Sequence, residues 1–230
     1  MTSKKVIVVL GASRGIGAAT VQLLARNFDH EILALSRNGA KMQEQFGALS
    51  NVHSYAFDLA GTDVRERAEQ IFSRFDKIDI LINNAGTLVN KPFTELTHDD
   101  ITSSYQVNVI GVMEVTQAAV GKMTEAHIVN ISSVGGFQGS VKFPGLSAYS
   151  TSKAALCSFT ELFAEEYKNT SIKMNCLCLG AVQTEMLEEA FPGYEAPLSA
   201  EEMAEYIVDF SLNANKWMNG KIIPVSLSTP

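Results

Sequence analysis

Long hydrophobic runs are missing from this 230-residue sequence. No stretch reaches the length at which a helix spans a bilayer, so we expect no transmembrane segment and no membrane partner. The apolar run in the opening segment MTSKKVIVVLGAS is too short for the core of a signal peptide, and no small-residue cleavage site follows it. We therefore expect a cytoplasmic protein.

Basic residues are also scarce. The sequence has 18 Lys and Arg against 25 Asp and Glu, which gives a formal net charge of −7 at pH 7. Proteins that bind nucleic acid through its phosphate backbone depend on basic patches. The charge balance therefore disfavours nucleic acid as a partner.

Cysteine and histidine are few, and neither shows metal-ligand spacing. An odd number of cysteines without C-x-x-C spacing fits buried free thiols in a reducing compartment. The three cysteines are Cys157, Cys176 and Cys178. The four histidines are scattered along the chain, at His30, His53, His98 and His127. We therefore predict no metal site.

Hydrophobic residues make up 46% of the chain, which is enough for a large core. Short β-branched runs predict seven strands, at Lys5–Leu10, Glu31–Ser36, Val52–Phe57, Ile78–Ile82, His127–Ser132, Ile172–Leu177 and Lys221–Val225. Segments of helical period fall between them, at Ile16–Asn27, Ala40–Leu49, Asp63–Phe75, Asp99–Met123, Ala148–Tyr167 and Ala200–Leu212. Because strands and helices alternate, we predict a doubly wound α/β fold, a parallel sheet with helices on both faces. No repeat or linker interrupts the pattern, so residues 1–230 are predicted to form one domain.

A glycine-rich segment joins the first strand to the first helix. In GASRGIG, the residues Gly11, Gly15 and Gly17 stand where the chain must turn, and glycine there permits positive φ, close approach of a phosphate and tight helix packing. A pyrophosphate can bind at the helix N-terminus, where free N–H groups and the helix dipole favour an anion. The pattern favours a nucleotide site over the alternative, a plain tight turn.

The end of the second strand bears on cofactor choice. An NAD site commonly has an acidic residue there, but this chain has Ser36 and Arg37, and Arg14 lies inside the glycine turn. Two guanidinium groups can hold a 2′-phosphate by bidentate hydrogen bonds, which favours NADP(H) over NAD(H). The alternative is that both arginines are solvated surface residues. Asp58, after the third strand, either accepts a hydrogen bond from the adenine amino group or caps a helix.

A tyrosine and a lysine stand four residues apart in SAYSTSK. On a helix, Tyr149 and Lys153 would share one face, with their polar ends able to converge. Alone, such a pair is usually an exposed amphipathic turn. Its significance depends on the other motifs.

Five ordered motifs together resemble the short-chain dehydrogenase/reductase family over essentially the whole chain. They are GASRGIG, NNAG at 83–86, YQVNV around Asn108, VNISS at 129–133 and YSTSK at 149–153. The resemblance implies a Rossmann-type domain, a nicotinamide cofactor and a catalytic group of Ser133, Tyr149, Lys153 and Asn108. It also implies a homodimer or homotetramer, with the helices Asp99–Met123 and Ala148–Tyr167 at the interface.

Carbonyl reduction needs a proton donor as well as a hydride. The resemblance to the family implies which side chain is that donor. We expect Lys153 to lower the pKa of Tyr149, the acid, and by resemblance to hydrogen-bond the nicotinamide ribose. Ser133 would donate to the substrate oxygen, and Asn108 would position a water that connects Lys153 to solvent. The alternatives are that Ser133 simply ends a strand and that Asn108 is a satisfied core amide.

The resemblance completes the predicted cofactor site with Ser13, Ile16, Leu59, Asn84, Ala85, Gly86, Gly180, Val182 and Thr184, besides Tyr149 and Lys153. Leu179 departs from the family pattern, which usually has proline there. Four apolar residues are predicted to line the substrate pocket: Phe137, Phe143, Met186 and Leu187. An apolar pocket favours a small ketone, aldehyde or diketone.

The sequence thus predicts an NADP(H)-dependent carbonyl reductase or alcohol dehydrogenase of the short-chain type, with reduction as the favoured direction. Two alternatives remain. One is a regulatory module that binds the dinucleotide and senses its redox state without turnover. The other is a structural subunit of an oligomer, which would have no need for an acid group.

Overall fold

A computed structural model describes residues 4–227; residues 1–3 and 228–230 lie outside this part. The strands are β1 Val6–Leu10, β2 Glu31–Ser36, β3 Val52–Ala56, β4 Ile80–Asn83, β5 Glu125–Ser133, β6 Ser171–Leu179 and β7 Ile222–Val225. The helices are α1 Gly15–Asn27, α2 Gly39–Phe46, α3 Val64–Phe72, α4 His98–Tyr105, α5 Gly111–Val120, α6 Ser147–Glu166, α7 Glu185–Ala190 and α8 Ala200–Asn213. No helix of residues 4–227 combines the length and the apolar character needed to cross a membrane. The single domain over residues 1–230 stays a prediction.

All seven strands form one parallel sheet in the order β3-β2-β1-β4-β5-β6-β7. The chain winds outward from β1 to β3 and then crosses back, so that β4 pairs with β1. This is the doubly wound order, which confirms the predicted fold class. The strand order reverses between β1 and β4, and the carboxyl ends of the strands there leave a crevice.

Each central strand contributes to hydrophobic cores on both faces of the sheet. In β1, Ile7 and Val9 pack with α1 and α8 on one face, whereas Val8 and Leu10 pack with α3 and α5 on the other. Side chains alternate along a strand, so a strand covered on both faces must be apolar at every position. The continuous run VIVVL is therefore the sequence of a central strand.

The predicted helix Asp99–Met123 is divided in the structure. It begins at His98 after a Thr97 capping box, and α4 and α5 are separated by a π-helical turn over Gln106–Ile110. In the π turn each backbone hydrogen bond spans one residue more than in an α-helix. The hydrophobic periodicity of the sequence does not reveal this insertion. It brings Asn108 into a buried position below the crevice.

A short helix that the sequence analysis did not identify follows β6. Helix α7 has 6 residues, and the side chain of Thr184 caps it by accepting a hydrogen bond from Leu187 N at 3.3 Å. Asn90 Nδ2 donates to the carbonyl of Ala190 at 2.9 Å, which fixes the far end of α7 to the loop after β4. Met186, Leu187 and Ala190 of this helix line the crevice.

Helix α1 packs unusually close to the turn that precedes it. A Cβ added at Gly17 would lie 2.2 Å from the carbonyl oxygen of Gly11 and 2.5 Å from Asn84 Nδ2. Real Cβ atoms do not approach backbone this closely, so only glycine permits the observed position of α1. The third glycine of the motif is thus a packing residue.

We predict that Gly17→Ala lowers the free energy of unfolding by about 1–3 kcal/mol, because the added methyl group forces α1 away from the sheet. Urea denaturation followed by circular dichroism measures this change. Gly121→Ala is the matched control, since its Cβ would have its nearest neighbour at 3.7 Å, Ala118 O. The packing argument is wrong if the two variants are equally stable.

Candidate active site

A cleft of about 670 Å³ opens at the carboxyl ends of the central strands. Every residue predicted to bind the cofactor lines it except Gly17, which lies behind the turn against Gly11. Ser133 lines it as well, whereas Asn108 is buried beneath it. The fold therefore brings together residues from segments that are far apart in the sequence.

The glycine turn forms one end of the cleft. Gly11 and Gly15 have φ of 76° and 52°, and a Cβ at Gly11 would lie 2.8 Å from the Cα of Ala85. Asn84 Nδ2 donates to the carbonyls of Leu10 at 3.3 Å and Gly11 at 3.4 Å, which ties β4 to the turn. Helix α1 has no side-chain cap and no acidic residue in its first turn. Its first N–H groups are thus able to hold an anion.

The predicted 2′-phosphate residues lie beside this turn. The hydroxyls of Ser13 and Ser36 are 2.8 Å apart and share a hydrogen bond, and Arg37 is exposed at the cleft edge. Arg14 instead forms an ion pair with Glu189 on α7 at 2.7 Å, and this hydrogen bond raises the pKa of Arg14. One of the two expected guanidinium groups is therefore occupied by a carboxylate of the chain itself.

Asp58 lies at the same edge of the cleft. Its Oδ1 accepts from Ala60 N at 3.0 Å within a local turn. The residue at the N-cap of α3 is Asp63 instead, so the structure does not support the helix-cap alternative for Asp58. Its carboxylate remains exposed toward the cleft.

Lys153 is 4% exposed and lies at the floor of the cleft. Its Nζ donates to the carbonyl of Ile131 at 2.8 Å, and a Cβ at Gly86 would lie 3.2 Å from this nitrogen. Burial lowers the pKa of Lys153 from its ordinary 10.5 to about 8, although the nearby cysteines oppose the shift. The amine can therefore exchange a proton in a range near physiological pH.

Tyr149 shares the inner face of α6 with Lys153, as the spacing predicts. Burial raises the pKa of Tyr149, and hydrogen bonding with Ser133 opposes that shift without overcoming it. The expected lowering by Lys153 is wrong for this structure, because Nζ lies 6.0 Å from the ring centre and donates to the Ile131 carbonyl instead. The phenol is therefore protonated at neutral pH.

Two adjacent serines at the end of β5 have different environments. Ser132 Oγ donates to the carbonyl of Lys153 at 2.8 Å and so fixes α6 to β5. Ser133 Oγ faces the cleft, accepts from Gly135 N at 3.2 Å and hydrogen-bonds Tyr149. The side chain that can reach a bound molecule is that of Ser133.

The side chain of Asn108 is fully engaged by the protein. Its Oδ1 accepts from Thr87 N at 2.8 Å, and its Nδ2 donates to Thr87 O and to Ser152 Oγ, each at 2.9 Å. This environment corresponds to the alternative interpretation, a satisfied core amide. It holds the segment after β4, which includes Gly86, against α6.

Three of the four predicted substrate-pocket residues line the cleft: Phe143, Met186 and Leu187. Phe137 does not line it and packs instead against the three cysteines. The residue turns away because Val134–Gly136 forms a 3₁₀ turn directly after β5. Phe191 completes the apolar side, with its ring centre 6.5 Å from that of Phe143.

Sequence reasoning missed several groups in and around the cleft. Thr87 and Asn90, which follow the NNAG motif, hold Asn108 and α7 respectively. Glu189 pairs with Arg14, and nothing in its local sequence marks it for that contact. Leu179, which departs from the family pattern, is 6% exposed at the end of β6 and lines the cleft floor.

Comparison with known proteins gives consistent matches over almost the whole chain. The sequence matches the short chain dehydrogenase family over residues 5–195. The 3-oxoacyl-[acyl-carrier-protein] reductase FabG of Aquifex aeolicus is 32% identical, and that of Thermotoga maritima is 29% identical, each with 96% of both chains covered. A solved short chain dehydrogenase from Burkholderia cenocepacia in complex with NADP is 26% identical, with a TM-score of 0.86 over 96% of both chains.

The pKa of Lys153 predicts how stability depends on pH. Between pH 8 and 10.5 the unfolded chain still binds the lysine proton that the folded chain has released, so this group makes stability rise with pH. From pH 7 to 10 we expect the unfolding free energy of the wild type to gain roughly 2–3 kcal/mol relative to Lys153→Met.

Urea denaturation at the two pH values measures this difference. The control is Lys216→Met, which removes an exposed lysine far from the cleft and should retain the wild-type profile. If the unfolding free energies of the wild type and Lys153→Met change equally between the two pH values, the amine of Lys153 is not buried with a lowered pKa.

Proposed function

The chain belongs to the short chain dehydrogenase family, and on that basis we propose that it is an NADP(H)-dependent oxidoreductase that reduces a ketone or aldehyde to the alcohol. The observation that carries the proposal is one cleft in which Ser133, Tyr149 and Lys153 stand beside a glycine turn able to hold a pyrophosphate. The relatives named as 3-oxoacyl-[acyl-carrier-protein] reductases support a carbonyl substrate.

The residues of the cleft fit a dinucleotide phosphate. A Cβ at Gly11 would collide with Ala85, so the backbone itself forms the cradle beside the uncapped α1 N-terminus. Arg37 is free to meet a 2′-phosphate, and Arg14 would exchange its Glu189 partner for it. Gly180, Val182 and Thr184 would hold the nicotinamide end, where the cofactor when bound supplies the hydride.

Proton transfer is assigned to the side chains at the cleft floor. Tyr149, kept protonated by burial, donates the proton of its hydroxyl to the substrate oxygen as negative charge develops there. Ser133 donates a hydrogen bond to the same oxygen and stabilises that charge. The proton that Tyr149 has lost is resupplied through solvent, and Lys153, with its pKa near 8, would exchange protons with the same solvent rather than contact the phenol directly.

The apolar side of the cleft supports a small, uncharged substrate. Phe143, Phe191 and the α7 residues Met186 and Leu187 form it. Closure of such a helix over a bound molecule excludes water from the reacting atoms. We assign reduction of a ketone, aldehyde or diketone to this chain.

A homodimer or homotetramer of cytoplasmic location is part of the proposal. The helices α4, α5 and α6 and the π-helical turn between α4 and α5, which together cover the predicted interface, expose large apolar side chains: Ile101, Ile110, Met113 and Leu162. Apolar groups on one side of a molecule favour association. Their positions support an interface between copies of this chain.

The alternative class, a dinucleotide-binding regulatory module, differs from the enzyme in one testable respect. We predict that Tyr149→Phe lowers kcat for carbonyl reduction roughly 10²–10⁴-fold because the proton donor is lost, while affinity for NADPH is retained. A panel of ketones, aldehydes, diketones and 3-oxoacyl thioesters, followed by loss of NADPH absorbance, supplies the substrate for this comparison.

The control is Tyr206→Phe, which alters an exposed tyrosine on α8 and should leave both quantities unchanged. No turnover of any compound by the wild type, with NADPH bound normally, would favour the regulatory module instead.

The cofactor assignment predicts an asymmetric effect at Arg37. Arg37→Ala should weaken NADPH binding roughly tenfold or more, because a charge-assisted contact with the 2′-phosphate is lost, and should leave NADH binding unchanged. Fluorescence titration with each cofactor measures both constants. Arg26→Ala, at the exposed end of α1, is the matched control. An equal loss of affinity for NADPH and NADH in Arg37→Ala, or tighter binding of NADH than of NADPH by the wild type, would contradict the assignment.

A further inference from the structure

Three thiols that are separated in the sequence meet in the core. Cys157 lies on the inner face of α6, and Cys176 and Cys178 lie two residues apart on β6, so both point to the same face of the strand. Cys157 Sγ is 4.0 Å from Cys176 Sγ and 3.5 Å from Cys178 Sγ, and the three sulfurs lie within 4.8 Å of one another. All three cysteines are free and buried.

This spacing suits one metal ion. With Zn–S bonds of roughly 2.3 Å, two thiolates of a tetrahedral site are roughly 3.8 Å apart, which is close to the two sulfur distances here. Thiolates prefer soft or borderline cations over the hard cations that oxygen ligands bind. Ser132 Oγ lies 3.5 Å from Cys157 Sγ and offers an oxygen for a fourth position.

We propose that Cys157, Cys176 and Cys178 form a binding site for a single thiophilic cation of the Zn²⁺ type. Binding joins the cation to three sulfurs, and each coordinated thiol releases its proton to solvent, with no change of oxidation state. The three sulfurs lie outside the substrate cleft, because none of the cysteines lines it, whereas Ser132 lines the cleft and contacts Cys157.

Phe137 controls access to this site. Together with Ile222 it covers the sulfurs, and it belongs to the segment after β5, where it is only partly buried. A cation can therefore reach the sulfurs when this segment moves, without unfolding of the sheet. Phe137→Ala should accelerate uptake of the cation and leave its stoichiometry unchanged.

The site is connected to the cleft through two hydrogen bonds. Cys157 Sγ donates to Ser132 Oγ, which donates to the carbonyl of Lys153 at 2.8 Å, and Cys157 follows Lys153 by one helical turn. A bound cation would shift α6 and Ser132, and with them Lys153. Loss of reductase activity on metal binding follows, and this consequence alone rests on the proposed function.

Cd²⁺, added alone to the full chain kept reduced with a phosphine, is the probe, because its bonds to thiolate absorb in the ultraviolet. We expect a charge-transfer band that saturates at one Cd²⁺ per chain, with Zn²⁺ competing for the same site. Cys157→Ser should weaken binding by at least roughly tenfold, and Cys178→Ser should do the same in case the first variant folds poorly. Ser158→Ala, at an exposed position beside Cys157, should bind like the wild type.

The proposal is overturned if the folded wild type shows no saturable band, or if both cysteine variants keep the wild-type band and stoichiometry. Because the band is read without substrate or cofactor, its absence would leave the proposed reductase intact. If the metal-free chain shows no reductase activity but forms the band when Cd²⁺ is added, the result would instead count against the proposed function alone.

Discussion

The buried ammonium of Lys153 determines the arrangement of one whole side of the cleft. Because the side chain is only 4% exposed, the ammonium needs a hydrogen-bond acceptor inside the protein, and the Ile131 carbonyl provides one at 2.8 Å. The ammonium also needs space, which is available because Gly86 has no side chain. The hydrogen bond holds α6 against β5, and α6 carries Tyr149 toward Ser133. A single desolvated charge thus connects the strand, the helix and the two polar groups of the cleft floor.

The opposite side of the cleft depends on backbone rather than on side-chain charge. The three glycines Gly11, Gly15 and Gly17 let α1 begin close to β4. Asn84, which follows β4, hydrogen-bonds the end of β1 at the point where the strand order reverses. The short helix α7 then bridges the two sides through the Arg14–Glu189 ion pair. Being exposed, this pair adds little stability, so a bound phosphate can replace the carboxylate at low cost.

The sequence predicted those features that arise from local patterns. Uniformly apolar strands such as β1, the glycine turn, and the shared face of Tyr149 and Lys153 follow from side-chain period and backbone sterics. The π turn around Asn108, the inward rotation of Phe137 and the convergence of the three cysteines could not be predicted, because each depends on tertiary packing. The pKa of Tyr149 was predicted with the wrong sign, since spacing gives proximity on a helix but neither burial nor the acceptor that Lys153 chooses.

The burial of Lys153 is tested most directly by the titration of its amine, which NMR follows at Nζ or at the neighbouring carbon, Cε. Lysine labelled with ¹³C at Cε, with the Lys153 signal assigned through the Lys153→Met variant, gives its titration by NMR in the free protein. The account predicts a midpoint of about 8 for this amine. A midpoint at the ordinary lysine value of 10.5 would show that the ammonium is solvated, and the described organisation of the cleft would then be incorrect.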